Sequence, residues 1–109
     1  MLNFSFEEAL PHTGQGLIEA VTASITYRTR VDDKNITIQG HLVFNRNIKS
    51  GSRKTKIEDR FPMEIVIPKN RVEKKEHGVY AHLAEFKYQI KDEEQIIVSG
   101  TVHVENISN

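Results

Sequence analysis

Apolar residues fall on alternate positions through most of this chain, and a helical spacing of 3.6 is scarcely visible. Side chains of a strand point alternately to its two faces, so period two predicts strands with one buried face each. "LNFSF" puts Leu2, Phe4 and Phe6 on one side of a first strand. "PHTGQG", from Pro11 to Gly16, is a loop by its Pro and Gly content. "LIEAVTASITYRTRV" carries Ala23, Ile25 and Tyr27 in phase, with a short helical turn around Leu17 to Ala20 as the alternative for its start. "VDDKN" turns the chain into a strand from Ile36 to Phe44, and "RFPMEIVIP" aligns Phe61, Met63, Ile65 and Ile67 on one face. "KNRVEKKEHG" is a charged connector, "VYAHLAEFKYQI" a further strand, "KDEEQ" a turn, and Ile96 to Val104 the last strand.

Three departures from plain alternation carry information. Residues 46–60 are so polar and charged that they predict a long charged loop. Pro62 and Pro68 cannot donate ladder hydrogen bonds, which places their strand at a sheet edge or puts the prolines at its ends. In "VYAHLAEFKYQI" the apolar parity changes between Val79, Ala81, Leu83 and Phe86, Tyr88, Ile90. One extra residue would re-aim the side chains in this way, predicting a bulge near Ala84 or Glu85; a strand buried on both faces at its start gives the same pattern.

The chain also repeats itself. "ASITYRTRVDDKNITIQG" lies over "AEFKYQIKDEEQIIVSG" with one residue dropped at the turn. Each copy reads as a hairpin, Ala23 to Phe44 and Ala84 to Val104, whose return strand has a central glycine, Gly40 or Gly100. The apolar faces are Ile36, Ile38, Leu42, Phe44 and Ile96, Val98, Val102, Val104. Glycine inside a strand costs roughly 0.5–1 kcal/mol against alanine, so its recurrence points to a bend or to close approach of a facing ring such as Tyr27 or Tyr88. Chance likeness between two strand-rich hairpins competes with a true duplication.

Composition narrows the class. The 109 residues suit one domain, 1–109. Fifteen Lys plus Arg balance fifteen Asp plus Glu, which argues against nucleic acid as a partner, because such binding needs a cationic field. With no cysteine there is no disulfide framework, no thiolate zinc site and no thiol nucleophile. The first residues carry Glu7 and Glu8 where a signal peptide would be apolar, and no apolar run approaches the ~20 residues of a membrane span. The chain therefore reads as soluble and intracellular. The glycosylation pattern at Asn35-Ile36-Thr37 and Asn106-Ile107-Ser108 has no meaning without a secretory signal.

Reactive constellations are thin. His41, His82 and His103 lie on strands, where adjacent positions ~4.8 Å apart can supply zinc ligands. No metal-ligand spacing marks them, so the expectation is no metal, with histidines on a solvated face. Carboxylates concentrate in turns and connectors, and the serines lack a nucleophile elbow. "GQG" at Gly14 to Gly16 is only a fragment of a dinucleotide fingerprint. The basic group Arg46, Lys49, Arg53, Lys54 and Lys56 reads as a solvated loop answered by Glu58 and Asp59, and no aromatic residue interleaves it as a single-strand binder requires. Nothing in this inventory argues for an enzyme.

"FPMEIVIPKNRV", Phe61 to Val72, resembles the N-terminal domain of stage VI sporulation protein D, a spore-coat morphogenetic family of endospore-forming bacilli. The likeness continues through "VYAHLAEFKYQIKDEEQIIVSG", and more weakly through "LNFSFEE", "GQG" and "ITIQGHL". The resemblance implies a role in coat assembly around the forespore by protein–protein contact, in the mother-cell cytoplasm. Its partners would be other coat or coat-morphogenetic proteins, and it implies no catalysis and no cofactor. Full-length members continue into a long acidic region and a peptidoglycan-binding-type module, which this chain lacks, as an excised domain or a stand-alone relative would. Contacts made through those parts are not carried over.

The expected architecture is all-β: about six to seven mostly antiparallel strands in a sandwich or partly open barrel. Candidate binding residues are Phe61, Pro62, Pro68, Lys69 and Asn70, because prolines flanking an edge strand both block pairing and shape a readable surface. Exposed edges also allow homo-oligomers by strand addition. The competing expectation is a small ligand-binding barrel whose apolar cavity is lined by Phe44, Met63, Leu83 and Phe86.

Overall fold

Long strands set the dimensions of the molecule. A 16-residue strand rising about 3.4 Å per residue spans about 54 Å, and the longest extent of the structure is 54 Å against 20 and 17 Å across. The structure, a computed structural model, describes residues 2–11, 16–92 and 95–108. Six strands account for most of these: β1 (Leu2–Pro11), β2 (Leu17–Val31), β3 (Asn35–Ser50), β4 (Arg53–Pro68), β5 (Tyr80–Asp92) and β6 (Gln95–Glu105). They form two antiparallel three-stranded sheets, β1-β6-β5 and β2-β3-β4, packed as a sandwich with no closed barrel.

The two hairpins read from the repeat are β2–β3 and β5–β6. Each return strand is the centre of its sheet: β3 takes β4 on its far side, and β6 takes β1. Ile36, Ile38, Leu42 and Phe44 of β3 and Ile96, Val98, Val102 and Val104 of β6 are all buried and make the middle of one core. Burial of a large aliphatic or aromatic side chain contributes roughly 1.5–3 kcal/mol, so these eight positions dominate the stability of the domain.

Both central glycines face this core. A Cβ on Gly40 would collide with the Thr26 carbonyl oxygen and lie 2.6 Å from the Tyr27 Cα. A Cβ on Gly100 would lie 2.8 Å from Cζ of Phe6 and 3.3 Å from the Phe86 Cα. Close approach is therefore the reason at both positions. At Gly40 the neighbour is the backbone of Thr26 and Tyr27 and not the expected Tyr27 ring; at Gly100 a ring does approach, but it is that of Phe6, with the Phe86 backbone, rather than Tyr88.

The bulge expected in β5 is present. Pairing passes from Ala84↔Thr101 to Lys87↔Ser99, which leaves Glu85 and Phe86 opposite Gly100. Glu85 adopts φ 55°, the left-handed region that lets one extra residue fit into a bulged strand. The shift turns Phe86 inward, where its ring stacks 6.1 Å from that of Phe44.

Residues 46–60, expected as a charged loop, are instead the arms of the β3–β4 hairpin. Strand β3 runs to Ser50 and β4 starts at Arg53, leaving only Gly51-Ser52 between them. Gly51 has φ +64°, which the first position of such a two-residue turn requires. The alternation had continued beneath the charges, with Arg46 at an inward position between Phe44 and Ile48. Its guanidinium is buried, pairs with Asp59 Oδ2 at 2.8 Å and donates to the Pro11 carbonyl, tying the end of β1 to the opposite sheet. The helical alternative at Leu17 to Ala20 is also replaced by strand, with a bulge between Ile18 and Ala20. Pro11 ends β1, and the rest of the loop expected over Pro11 to Gly16 falls mainly on residues 12–15, outside the described residues, as do residues 93–94 of the "KDEEQ" turn.

Two stability predictions follow from these contacts. Gly40→Ala, whose collision is with backbone, should lower the unfolding free energy by at least about 3 kcal/mol, and Gly100→Ala, relieved by a ring shift, by about 1–2 kcal/mol, as read by urea denaturation. Asp59→Ala leaves the buried Arg46 charge unpaired and should cost about 3 kcal/mol, whereas the paired change Arg46→Met with Asp59→Leu should recover most of that loss.

Candidate functional site

Strand β4 is the outer strand of its sheet, pairing only with β3, which is where its prolines require it to be. The five residues singled out on and after this strand do not form one patch. Phe61 points inward and packs edge-on against Phe44, ring centroids 5.7 Å apart. Pro62 is exposed on the outer face opposite His41. Pro68 ends β4 six residues further on, roughly 20 Å along the strand, and leads into a single-turn 3-10 helix, Lys69–Arg71. Phe61 thus belongs to the core, Pro62 to an outer face, and only Lys69 and Asn70 adjoin an opening.

That opening is a cleft of about 610 Å³ at one end of the sandwich. Its lining is apolar at Val31, Ile36, Val72 and Val79, of which Val31 is at the exposed margin, and polar at Lys69, Asn70, Lys75 and His77; among the described residues no carboxylate lines it. By contrast, the side chains expected to line a barrel cavity fill the interior. Phe44 is fully buried with Phe6, Phe61 and Phe86 around it, and Met63, Leu83 and Phe86 pack against the same core.

Hydrogen bonds hold the cleft open. The Lys69 N–H donates to the Lys34 carbonyl at 2.9 Å, anchoring the 3-10 turn on the β2–β3 loop. Within that loop, the Asp32 carboxylate accepts from the backbone N–H groups of Asn35 (2.7 Å) and Lys34 (2.8 Å). These bonds hold the Asp32 carboxyl below its ordinary value of 3.8. Because the folded-state value is depressed, the stabilisation is present above the ordinary carboxylate range and is lost as pH falls through the folded-state value.

Asn106 organises the other wall. It sits at φ 70°, and its Nδ2 donates to the carbonyls of Lys74, His77 and Gly78 while its Oδ1 accepts from the Lys74 N–H. Val72 bridges to the buried Ile107, and the Arg71 guanidinium donates to the Ser108 carbonyl at 2.7 Å. The segment after β6 is therefore a template for residues 71–78. Nothing in the sequence pattern marks Asn106 for this task; an Asn just beyond a strand is compatible with positive φ, and that is the only local signal.

The histidines do not converge. His82 and His103 are directly paired on the outer face of one sheet with rings 5.3 Å apart, and His82 Nε2 lies 3.8 Å from Glu105 Oε1. His41 lies on β3, in the other sheet, pointing away from the core. Among the described residues no group of three or more His, Asp or Glu is arranged to hold a metal, and no helix is long and apolar enough to cross a membrane.

Fold and site together define a small all-β domain with an open apolar cleft at one end. The chain belongs to the SPOCS_spoVID-N family, whose sequence model matches residues 22–107. This is the sporulation family its sequence resembles. The matched span takes in β2 from Thr22 onward, all of β3, β4, β5 and β6, and the residues of the cleft. Comparison with curated proteins and with solved structures returns no match.

Asn106→Ala removes both the hydrogen bonds and an amide that tolerates positive φ. It should lower stability by about 1–3 kcal/mol and accelerate amide exchange at residues 73–78 more than in β3 or β6. Asn106→Gly keeps the backbone geometry and should show the same local acceleration with a smaller global loss.

Proposed function

We propose that this chain is a non-enzymatic protein–protein interaction domain that takes part in assembling the spore coat around the forespore, in the mother-cell cytoplasm. Membership of a sporulation family over residues 22–107 is the observation that carries this reading. The distribution of exposed features supports it. The charged groups are spread along strand faces and turns, and the concave site has an apolar floor with a cationic rim, a surface suited to holding a partner. Its partners are other coat or coat-morphogenetic proteins, and strand addition at a sheet edge is the route by which copies of the chain would also associate.

Affinity capture from sporulating cells, with the 109-residue chain as bait, tests the proposal. Coat proteins should be recovered by the unaltered chain, and recovery should fall about tenfold with Lys69→Glu combined with Asn70→Ala, given unchanged thermal unfolding. Absence of coat proteins from the capture by the unaltered chain would overturn the reading.

A further inference from the structure

The four outer strands of the sandwich are not equally available for pairing. The free edge of β4 carries Pro62 and Pro68 together with exposed Arg60 and Glu64, devices that discourage strand addition. The edge of β2 is different. It pairs with β3 on one side, and among the described residues no strand pairs with its other side. At Tyr27 the side-chain hydroxyl accepts the Ala81 N–H at 2.9 Å, so the contact between β2 and β5 of the other sheet is made there by a side chain and not by backbone pairing. Beyond Tyr27, residues Arg28 to Val31 run exposed along the cleft, with no proline among them and with Val31 60% accessible.

Alternation along this stretch gives each face a distinct chemistry. Thr29 and Val31 line the cleft, while Arg28 and Arg30 take the opposite parity and face outward. An added strand would alternate in the same way, with one set of side chains entering the cleft over Val31 and Val79 and the other lying beside the two arginines. The cleft rim adds Lys69 and Lys75. Four carboxylates stand on the same segments, Asp32, Asp33, Glu73 and Glu76, of which Asp32 is held by the Lys34 and Asn35 N–H groups and Glu76 lies 4.0 Å from His77; Lys34 and Lys74, added to Arg28, Arg30, Lys69 and Lys75, keep the balance cationic.

We infer that the β2 edge over Arg28–Val31 and the adjoining cleft form a strand-addition site for an extended partner segment of alternating acidic and apolar residues. The inference rests on the interaction-domain reading and names the kind of segment recognised. Main-chain pairing supplies affinity, the cleft selects the apolar side chains, and Arg28 and Arg30 on the outward face select the carboxylates.

The test uses a fluorescein-labelled seven-residue peptide of alternating Glu and Val, with a Lys–Val peptide of equal length as control, titrated against the full chain by fluorescence polarisation. The Glu–Val peptide should bind and the Lys–Val peptide should not, with amide shifts in NMR spectra confined to residues 28–31 and 69–79. Arg28→Gln with Arg30→Gln should weaken binding about tenfold, as should Val31→Asp. Of two Glu–Val peptides N-methylated at alternate registers, one should lose binding and the other retain it, because a strand pairs through every second N–H. Equal binding of both charge types, shifts centred on β1 or β4, or indifference to N-methylation in both registers would overturn the inference. Peptide binding without coat-protein capture would overturn the coat-assembly reading and leave the site standing; coat-protein capture unchanged by Val31→Asp would overturn the site alone.

Discussion

The packing of the Phe44 ring at the centre of the sandwich is the contact on which the rest of the fold depends. Phe44 has no accessible surface and meets Phe6 at 5.8 Å, Phe61 at 5.7 Å and Phe86 at 6.1 Å, one ring from each of three other strands. Four rings fit there only because Gly100 leaves room beneath Phe6 and beside the Phe86 backbone. The β5 bulge at Glu85 is part of the same arrangement, since without it Phe86 would face outward. Aromatic pairs at these separations contribute about 0.5–1.5 kcal/mol each beyond the area they bury. A glycine, a left-handed glutamate and four phenylalanines are thus one device.

From that centre the two ends of the sandwich diverge. Towards Ser50 the gap is closed by a polar clamp, Arg46 against Asp59 and the Pro11 carbonyl. Such a clamp fixes the register of β1 against the opposite sheet more than it adds stability, because desolvation offsets much of the ion-pair attraction. Towards Ile36 the connector after β4 and the residues after β6 brace each other through Asn106 and Arg71 but do not fill the space between the sheets. The apolar cleft is the result. It adjoins a strand edge that carries no proline, and its lining is mainly apolar with Lys69 and Lys75 among its members.

In this member of a sporulation family the functional surface we propose sits at one end of a scaffold of long strands. The strands carry few reactive groups, and the histidine pair, the buried ion pair and the carboxylates are dispersed over separate faces. What the fold offers a partner is shape, apolar surface and positive charge. The segments that provide them are a strand end, a single 3-10 turn and a hydrogen-bonded connector, all positioned by long sheets that do not need to move.

Period two was enough to place most of the architecture. The inward faces of β3 and β6, the Phe61 to Ile67 face of β4, its edge position and the β5 bulge were all legible, because each is a local consequence of side chains alternating about a sheet. The hairpin hidden in residues 46–60 was legible only through Gly51-Ser52, since an inward arginine disguised the alternation. The cleft was not legible. Thr29, Ile36, Asn70 and Val79 come from four separate stretches, and nothing in their spacing relates them. Which residues share a face is set by the chain's own geometry at each strand, whereas which faces enclose a space depends on how far two sheets stay apart after their largest rings have packed.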